Sequence, residues 1–188
     1  MNGKTFAFRI TASMVFILSG FSMAIGGQKN ILSPCELFNR ADAEDLFKEP
    51  VSEGKFRKTS FPAGESCQYV YKKKGDAYGV TLKVATTAAL RQEGMFKSAS
   101  DAFTRQKNAL ASSGYGKQKL MGLQNLGDGA FWNGHDLWVL KGDCRMIITV
   151  NSFLPGAFKN REAMDRARND QDLNLSRKVA TKALSRMK

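Results

Sequence analysis

The sequence predicts an α+β fold: a mainly antiparallel sheet flanked by helices. Runs that alternate apolar and polar residues lie between residues 54 and 86 and again between 117 and 151, with Gly, Pro, Asn and Asp at the turns. Apolar residues at helical spacing fall before, between and after those runs. The order is therefore helix, three strands, helix, four strands, helix. Strand runs interrupted by single helices favour antiparallel pairing over a parallel crossover sheet.

Residues 1–24 read as a cleaved secretory signal peptide. Lys4 and Arg9 supply its basic start, residues 10–24 its short apolar core, and Ser22 and Ala24 the small residues before the cut. The stretch contains Thr, Ser and Gly, which suits it poorly to a membrane anchor, for which roughly 20 strongly apolar residues are needed. Removing 24 of the 188 residues leaves 164, a length that suits one domain spanning 25–188, and without Lys4 and Arg9 the formal charge of +12 becomes +10. The expected location is the periplasm or the outside of the cell, with no transmembrane segment after cleavage.

Residues 25–32 form an extended lead-in. Ser33, Pro34 and Glu36 read as a capping box with Pro in the first turn, and Asn39 with Asp42 as a second start. Residues 34–48 are thus one helix or two short turns in series, ended by Pro50. Strands follow at 54–61, anchored by Phe56 and Phe61; at 66–73, with Cys67, Tyr69 and Tyr71 on one face; and at 78–86, with Val80, Leu82 and Val84 inward. A central helix at 93–113 carries Met95, Phe96, Ala99, Ala102, Phe103 and Leu110 as its apolar stripe, and Gly114 stops it. Residues 117–123 return as a strand, Ala130–Trp132 and Leu137–Lys141 form a hairpin at Asn133–Gly134, and Cys144–Asn151 completes the sheet. Residues 155–172, with Lys159, Arg161, Arg166 and Arg168, read as a basic insertion. The last helix starts near Asp172, with Val179, Ala180, Ala183 and Leu184 inward and Arg177, Lys178, Lys182 and Arg186 outward.

Three cysteines remain after export: Cys35, Cys67 and Cys144. In an oxidising compartment two should pair, leaving the third buried or reactive. No cysteine pair has metal-ligand spacing, and the single His135 cannot complete a zinc site, so neither metal nor cofactor is expected.

Four segments carry a resemblance. They are Pro34-Cys35-Glu36-Leu37-Phe38 before an Ala- and acid-rich helix, Cys67-Gln68-Tyr69 in an early strand, Gly122-Leu123-Gln124-Asn125-Leu126-Gly127-Asp128-Gly129-Ala130, and a final Val179-Ala180-Thr181-Lys182-Ala183-Leu184 helix. In this order they resemble a group of small secreted or lipoprotein domains of uncharacterised function with a PsbP-like fold, over roughly residues 33–187. The resemblance implies an antiparallel sheet between helices, a disulfide from Cys35 to Cys67, and an accessory or binding role without enzymatic activity. The chain departs from the group's pattern in its third cysteine, in lacking a lipid-bearing cysteine, and in residues 155–172.

Several residues are candidate sites. Tyr69, Tyr71 and Trp138, with Trp132, are strand aromatics that stack a ligand if they share an exposed face; otherwise they are core. Lys72, Lys73 and Lys74, with Arg57 and Lys58 in the neighbouring strand, make an anion-binding edge or a charged edge that resists aggregation. His135 beside Asp136 at a hairpin tip is not a dyad by sequence alone, since adjacent strand residues face opposite ways. Asp128 in Gly-Asp-Gly suits a turn better than a calcium site, which takes about six to eight oxygens. The reading that follows is a non-enzymatic binding domain that docks on an anionic envelope component or a protein partner, with no specific nucleic acid contact. The alternative is a secreted hydrolase or thiol-redox enzyme whose site is assembled from distant residues.

Overall fold

The computed structural model describes residues 33–187, apart from Phe61 and the side chain of Tyr115. The signal-peptide segment 1–24, the lead-in 25–32 and the strand anchor expected at Phe61 lie outside the described residues.

Two short helices in series open the described chain, α1 (Pro34–Leu37) and α2 (Arg40–Phe47). Each has an acid at its third position that returns to the residue before the helix. Glu36 accepts from the Ser33 amide at 2.8 Å, and Asp42 from the Asn39 amide at 2.9 Å. Lys48, with φ +55°, ends α2 two residues before Pro50. The strands β1 (Lys55–Ser60), β2 (Ala63–Lys73) and β3 (Asp76–Thr86) then form the expected meander.

The central helix expected at 93–113 is shorter, and two unexpected helices flank it: the order is α3 (Thr87–Glu93), α4 (Ala99–Ser112) and α5 (Gly114–Lys119), of which α4 is the expected one. Gly94 takes a left-handed φ of +83° that closes α3, and Ser98 accepts from the Asp101 amide at 3.0 Å to open α4. Met95 falls in the link and is 52% exposed, so it leaves the apolar stripe to which periodicity assigned it. Gly114 does not stop the helical run. Ser113 ends α4 and caps α5, its Oγ accepting from Gly116. The strand expected at 117–123 is consequently only β4 (Met121–Leu123).

β5 (Gly129–Trp132), β6 (Asp136–Lys141) and β7 (Cys144–Asn151) follow. All seven strands form one antiparallel sheet in the order β1-β2-β3-β7-β6-β5-β4. The architecture is α+β, as the sequence predicts.

The last helix, α6 (Arg161–Arg186), corrects the reading of residues 155–172 as a basic insertion. Helix begins at Arg161, not near Asp172. Asn160 caps it by accepting from the Ala163 amide at 2.8 Å, and the pairs Arg161–Asp165 and Glu162–Arg166 follow at i,i+4 spacing. That first half is polar on almost every side, so apolar periodicity could not reveal it. Nor is the segment basic in balance. Its four cations, Lys159, Arg161, Arg166 and Arg168, meet four carboxylates, Glu162, Asp165, Asp170 and Asp172.

Helices cover both faces of the sheet. On one face, Tyr69, Leu82, Val139, Met146 and Ile148 pack with Leu37 and Phe38 of the α1 region and with Val179, Ala180 and Ala183 of α6, in one continuous apolar cluster. Each such fully buried side chain contributes about 1.5–3 kcal/mol of transfer free energy. The disulfide Cys35–Cys67, with Cα atoms 5.1 Å apart, ties α1 to β2 on this face. Closing a loop of that length stabilises the fold by about 3–4 kcal/mol in the chain-entropy picture. The other face carries two smaller clusters beneath α3 and α4, one around Leu90 and Ala102, the other joining Phe103, Phe131 and Trp138.

Candidate functional site

The strand aromatics do not form one surface. Cross-strand register sets Tyr69 opposite Val80 and Tyr71 opposite Tyr78 on the α6 face, but Trp138 opposite Phe131 on the α4 face. Tyr69, Tyr71 and Trp132 are buried, and so, at 9% exposure, is Trp138. The Tyr71 ring lies between Phe47 and Tyr78, with centroids 4.7 and 5.6 Å away, and its hydroxyl accepts from the Phe153 amide at 2.9 Å. Trp132 donates from Nε1 to Asn169 Oδ1 at 2.9 Å, which fastens β5 to α6. Burial removes all four from contact with a stacked ligand.

The basic triplet is dispersed as well. Lys72 and Lys73 point to opposite faces of β2, and Lys74 sits in the β2–β3 turn with φ +52°. Lys73 is ion-paired with Glu49, and the ammonium groups of Lys73 and Lys74 each lie 5.2 Å from the Phe153 ring centroid. Arg57 and Lys58 of β1 stand opposite Ser66 and Glu65. Lys72 is six residues from Ser66, about 20 Å along the strand, so the five cations do not make one edge. Lys58 is paired with Glu65 at 3.0 Å. β1 is an edge strand whose Lys55, Arg57 and Lys58 discourage pairing with another chain.

His135 is exposed, with Nε2 3.9 Å from Asp136 Oδ1. Asp136 is otherwise engaged: Oδ1 accepts from the Thr149 hydroxyl at 2.6 Å and Oδ2 from the Asn133 amide group. Asp128 accepts from the Gly142 amide at 2.6 Å and from Lys141, which holds its carboxyl below the usual range and joins two turns. Among the described residues no group of three or more His, Cys, Asp or Glu side chains is placed to hold a metal ion. Cys144 is buried and unpaired, and burial, with the Asp143 charge behind it, pushes its thiol up to about 11.

Three polar clusters escaped the sequence reading. Asp42 is the first. Its carboxylate accepts from both terminal nitrogens of Arg186 and lies 3.4 Å from Lys182 Nζ, which joins α2 to the end of α6. The second is Asp172, buried on the core side of α6. Burial pushes its carboxyl up, against hydrogen bonds from the Ser152 amide (3.1 Å) and hydroxyl (2.6 Å) that hold it down. The third is Arg145, 5% exposed in the middle of the sheet, on the α4 face with Trp138. Its one legible signal was a cation in an otherwise apolar strand, Cys144-Arg145-Met146-Ile147-Ile148.

Charge is unbalanced on the second half of α6. Residues 173–188 contain five cations, Arg177, Lys178, Lys182, Arg186 and Lys188, and no carboxylate. Lys182 and Arg186 turn toward Asp42, while Arg177 and Lys178 are exposed. Arg177, Lys178, Thr181, Lys182 and Ser185 line a shallow depression on the outer side of the helix. No helix among the described residues is long and apolar enough to cross a membrane. Compared with family models, with curated proteins and with solved structures, the chain matches none.

Proposed function

We propose that the chain is a PsbP-like, non-enzymatic accessory domain of the periplasm or the cell exterior, and that it docks on an anionic envelope surface through charge. The observation that carries this reading is the asymmetry of α6. Its first half pairs Arg161 and Arg166 with neighbouring carboxylates, whereas its second half has four cations and no acidic side chain of its own; Lys182 and Arg186 turn to Asp42, which leaves Arg177 and Lys178 exposed on the outer side. Such a strip raises the local concentration of anionic partners without a stereospecific site. The disulfide Cys35–Cys67, and the signal peptide expected at residues 1–24, support the location. A buried Cys67 and a buried Cys144 with a raised thiol support a structural role for the cysteines over thiol-redox chemistry.

The test is binding to vesicles containing phosphatidylglycerol, and to heparin, over a range of salt. Exposed charges are screened over about 8 Å at physiological ionic strength, so affinity should fall steeply as salt rises. Arg177→Gln with Lys178→Gln should weaken binding more than the triple change Lys72→Gln, Lys73→Gln and Lys74→Gln, because Lys73 is already paired with Glu49. Binding that survives high salt, or equal losses in the two variants, would contradict the reading.

A further inference from the structure

On the α4 face, opposite to α6, two buried side chains have donors without acceptors. Arg145 Nε and Trp138 Nε1 are sealed from solvent and have no hydrogen-bond partner. The two belong to one arrangement. The Arg145 guanidinium carbon lies 5.3 Å from the Trp138 ring centroid, and the indole is stacked on Phe131 with centroids 5.6 Å apart and planes 11° apart.

Lys83 joins them through the register of the sheet. On β7, Ile147 stands opposite Lys83 of β3 on one side and opposite Trp138 of β6 on the other. Arg145, two residues along the same face of β7, is the diagonal neighbour of both. The Lys83 ammonium donates to the Pro62 carbonyl at 3.0 Å. Burial, then the charge of Arg145, lowers its pKa. Glu93 is the acid that acts on both cations through space. Its Oε2 accepts instead from the Ala63 amide at 3.1 Å. Two cations thus share one carboxylate, one oxygen of which is bonded to a backbone amide, and neither cation is hydrogen-bonded to it.

A buried guanidinium without a bonded counter-charge is costly, because it loses its water without replacement. The stacked indole and the long strand pairings hold it there nonetheless. Such a site can regain what it lost by taking up an anion, whose oxygens receive charge-assisted hydrogen bonds from the guanidinium and the ammonium.

We propose that Arg145, Lys83 and Trp138, on the α4 face of β7, β3 and β6, form a binding site for the oxyanion end of a small ligand, a carboxylate or a phosphate group. This site is on the opposite side of the sheet from the α6 strip, so it does not depend on the docking proposed above.

The test titrates inorganic phosphate and, separately, acetate into the disulfide-intact protein at constant ionic strength, with chloride as the balancing salt. Tryptophan emission reports on Trp138 together with Trp132, the change being assigned to Trp138 by its loss in Trp138→Phe, and a parallel thermal melt reports stabilisation by mass action. A saturable change with either anion is expected, and the anion that produces it identifies the oxyanion class. Lys83→Gln, a near-isosteric change at a partly buried side chain that should leave the fold intact, should weaken the response by roughly tenfold, the usual worth of one charge-assisted hydrogen bond. Arg145→Gln should abolish it where the melt shows a folded protein. A response that is linear and matched by chloride, or one unchanged in Lys83→Gln, would overturn the proposal. The α6 variant with Arg177→Gln and Lys178→Gln should titrate like the parent.

Discussion

Ile147 and Ile148 are neighbours on β7 with different surroundings. Ile148 is fully buried, opposite Leu82 and Leu137, within the cluster that includes Val179 and Ala183 of α6. Ile147, on the α4 face, stands between Lys83 and Trp138 and keeps partial exposure. The α6 face is one continuous apolar cluster whose buried polar groups are mostly paired, Trp132 with Asn169, Tyr71 with Phe153 and Asp172 with Ser152, with the neutral Ser176 hydroxyl as the exception. The α4 face is split into two smaller clusters and retains a buried Arg and a buried indole with unpaired donors. Stability is therefore concentrated on one face. The local rules of burial are broken on the other, where a functional demand is the usual reason for breaking them.

The largest effect should come from testing that division directly. Ile148→Ala should cost about 2–5 kcal/mol, the range for a fully buried aliphatic truncated in a packed core. Ile147→Ala, one residue away, should cost about 1 kcal/mol, in proportion to its partial burial. Urea unfolding of both variants gives the comparison, with unchanged m-values showing that the denatured state is not the cause. Equal losses would mean that both faces contribute alike to stability.

The two tryptophans sharpen the same contrast. Trp132→Phe removes a satisfied hydrogen bond and leaves the Asn169 side chain without its donor, so it should cost roughly 2–4 kcal/mol, including the cavity. Trp138→Phe also leaves space, but it deletes a sealed N–H that had no acceptor, which offsets about 1–3 kcal/mol of that loss. Trp138→Phe should accordingly be the milder change by a margin that denaturant midpoints resolve. A reversed order would show that the Trp138 indole nitrogen has a partner in solution.

Legibility in the sequence follows the same divide. The α6 face was readable because Cys67, Tyr69 and Tyr71, or Val80, Leu82 and Val84, alternate at period two, and because Val179, Ala180 and Ala183 repeat at helical spacing. The Asn133–Gly134 hairpin was equally plain. Failures arose where local chemistry overrode periodicity. Ser98 starts α4 partway along the apolar stripe and leaves Met95 and Phe96 outside the helix, and Asn160 starts a helix with no apolar stripe to announce it. Long-range pairings were out of reach. Asp42 and Arg186 are 144 residues apart, and nothing in either segment names the other. Arg145 was visible as an anomaly in an apolar strand, but its relation to Lys83 and Trp138 depends on the order β3-β7-β6, which the turns alone do not specify.

The smallest of these effects contrasts a closed charge cluster with an open one. Arg145 and Lys83 face a carboxylate engaged elsewhere, whereas Asp42 is fully committed. It accepts from Arg186 and from the Asn39 amide, and Lys182 is close by. Burial raises its pKa, but the Arg186 hydrogen bond, the Asn39 amide and the two positive charges outweigh that, so its carboxyl stays below the usual range. A carboxyl with a depressed folded-state pKa stabilises the fold above its unfolded value of about 3.9, and that stability is lost as pH falls through the lower folded value. Asp42→Asn keeps the shape and removes the charge, so at neutral pH it should cost about 1.5–3 kcal/mol, the range for hydrogen bonds to charged groups. As pH falls below about 4 the unfolded chain takes up its proton first, the parent's advantage shrinks, and the two stability curves should converge once pH has passed the lower folded-state value. Asp42 and Arg186 are 10% and 26% exposed, whereas Lys182 is 51% exposed, so moderate salt should screen the Lys182 part and leave the Arg186 part of the neutral-pH gap largely intact. A gap that stays constant down to pH 3 would mean that the Asn substitution acts through packing and that the α2–α6 tie is not electrostatic.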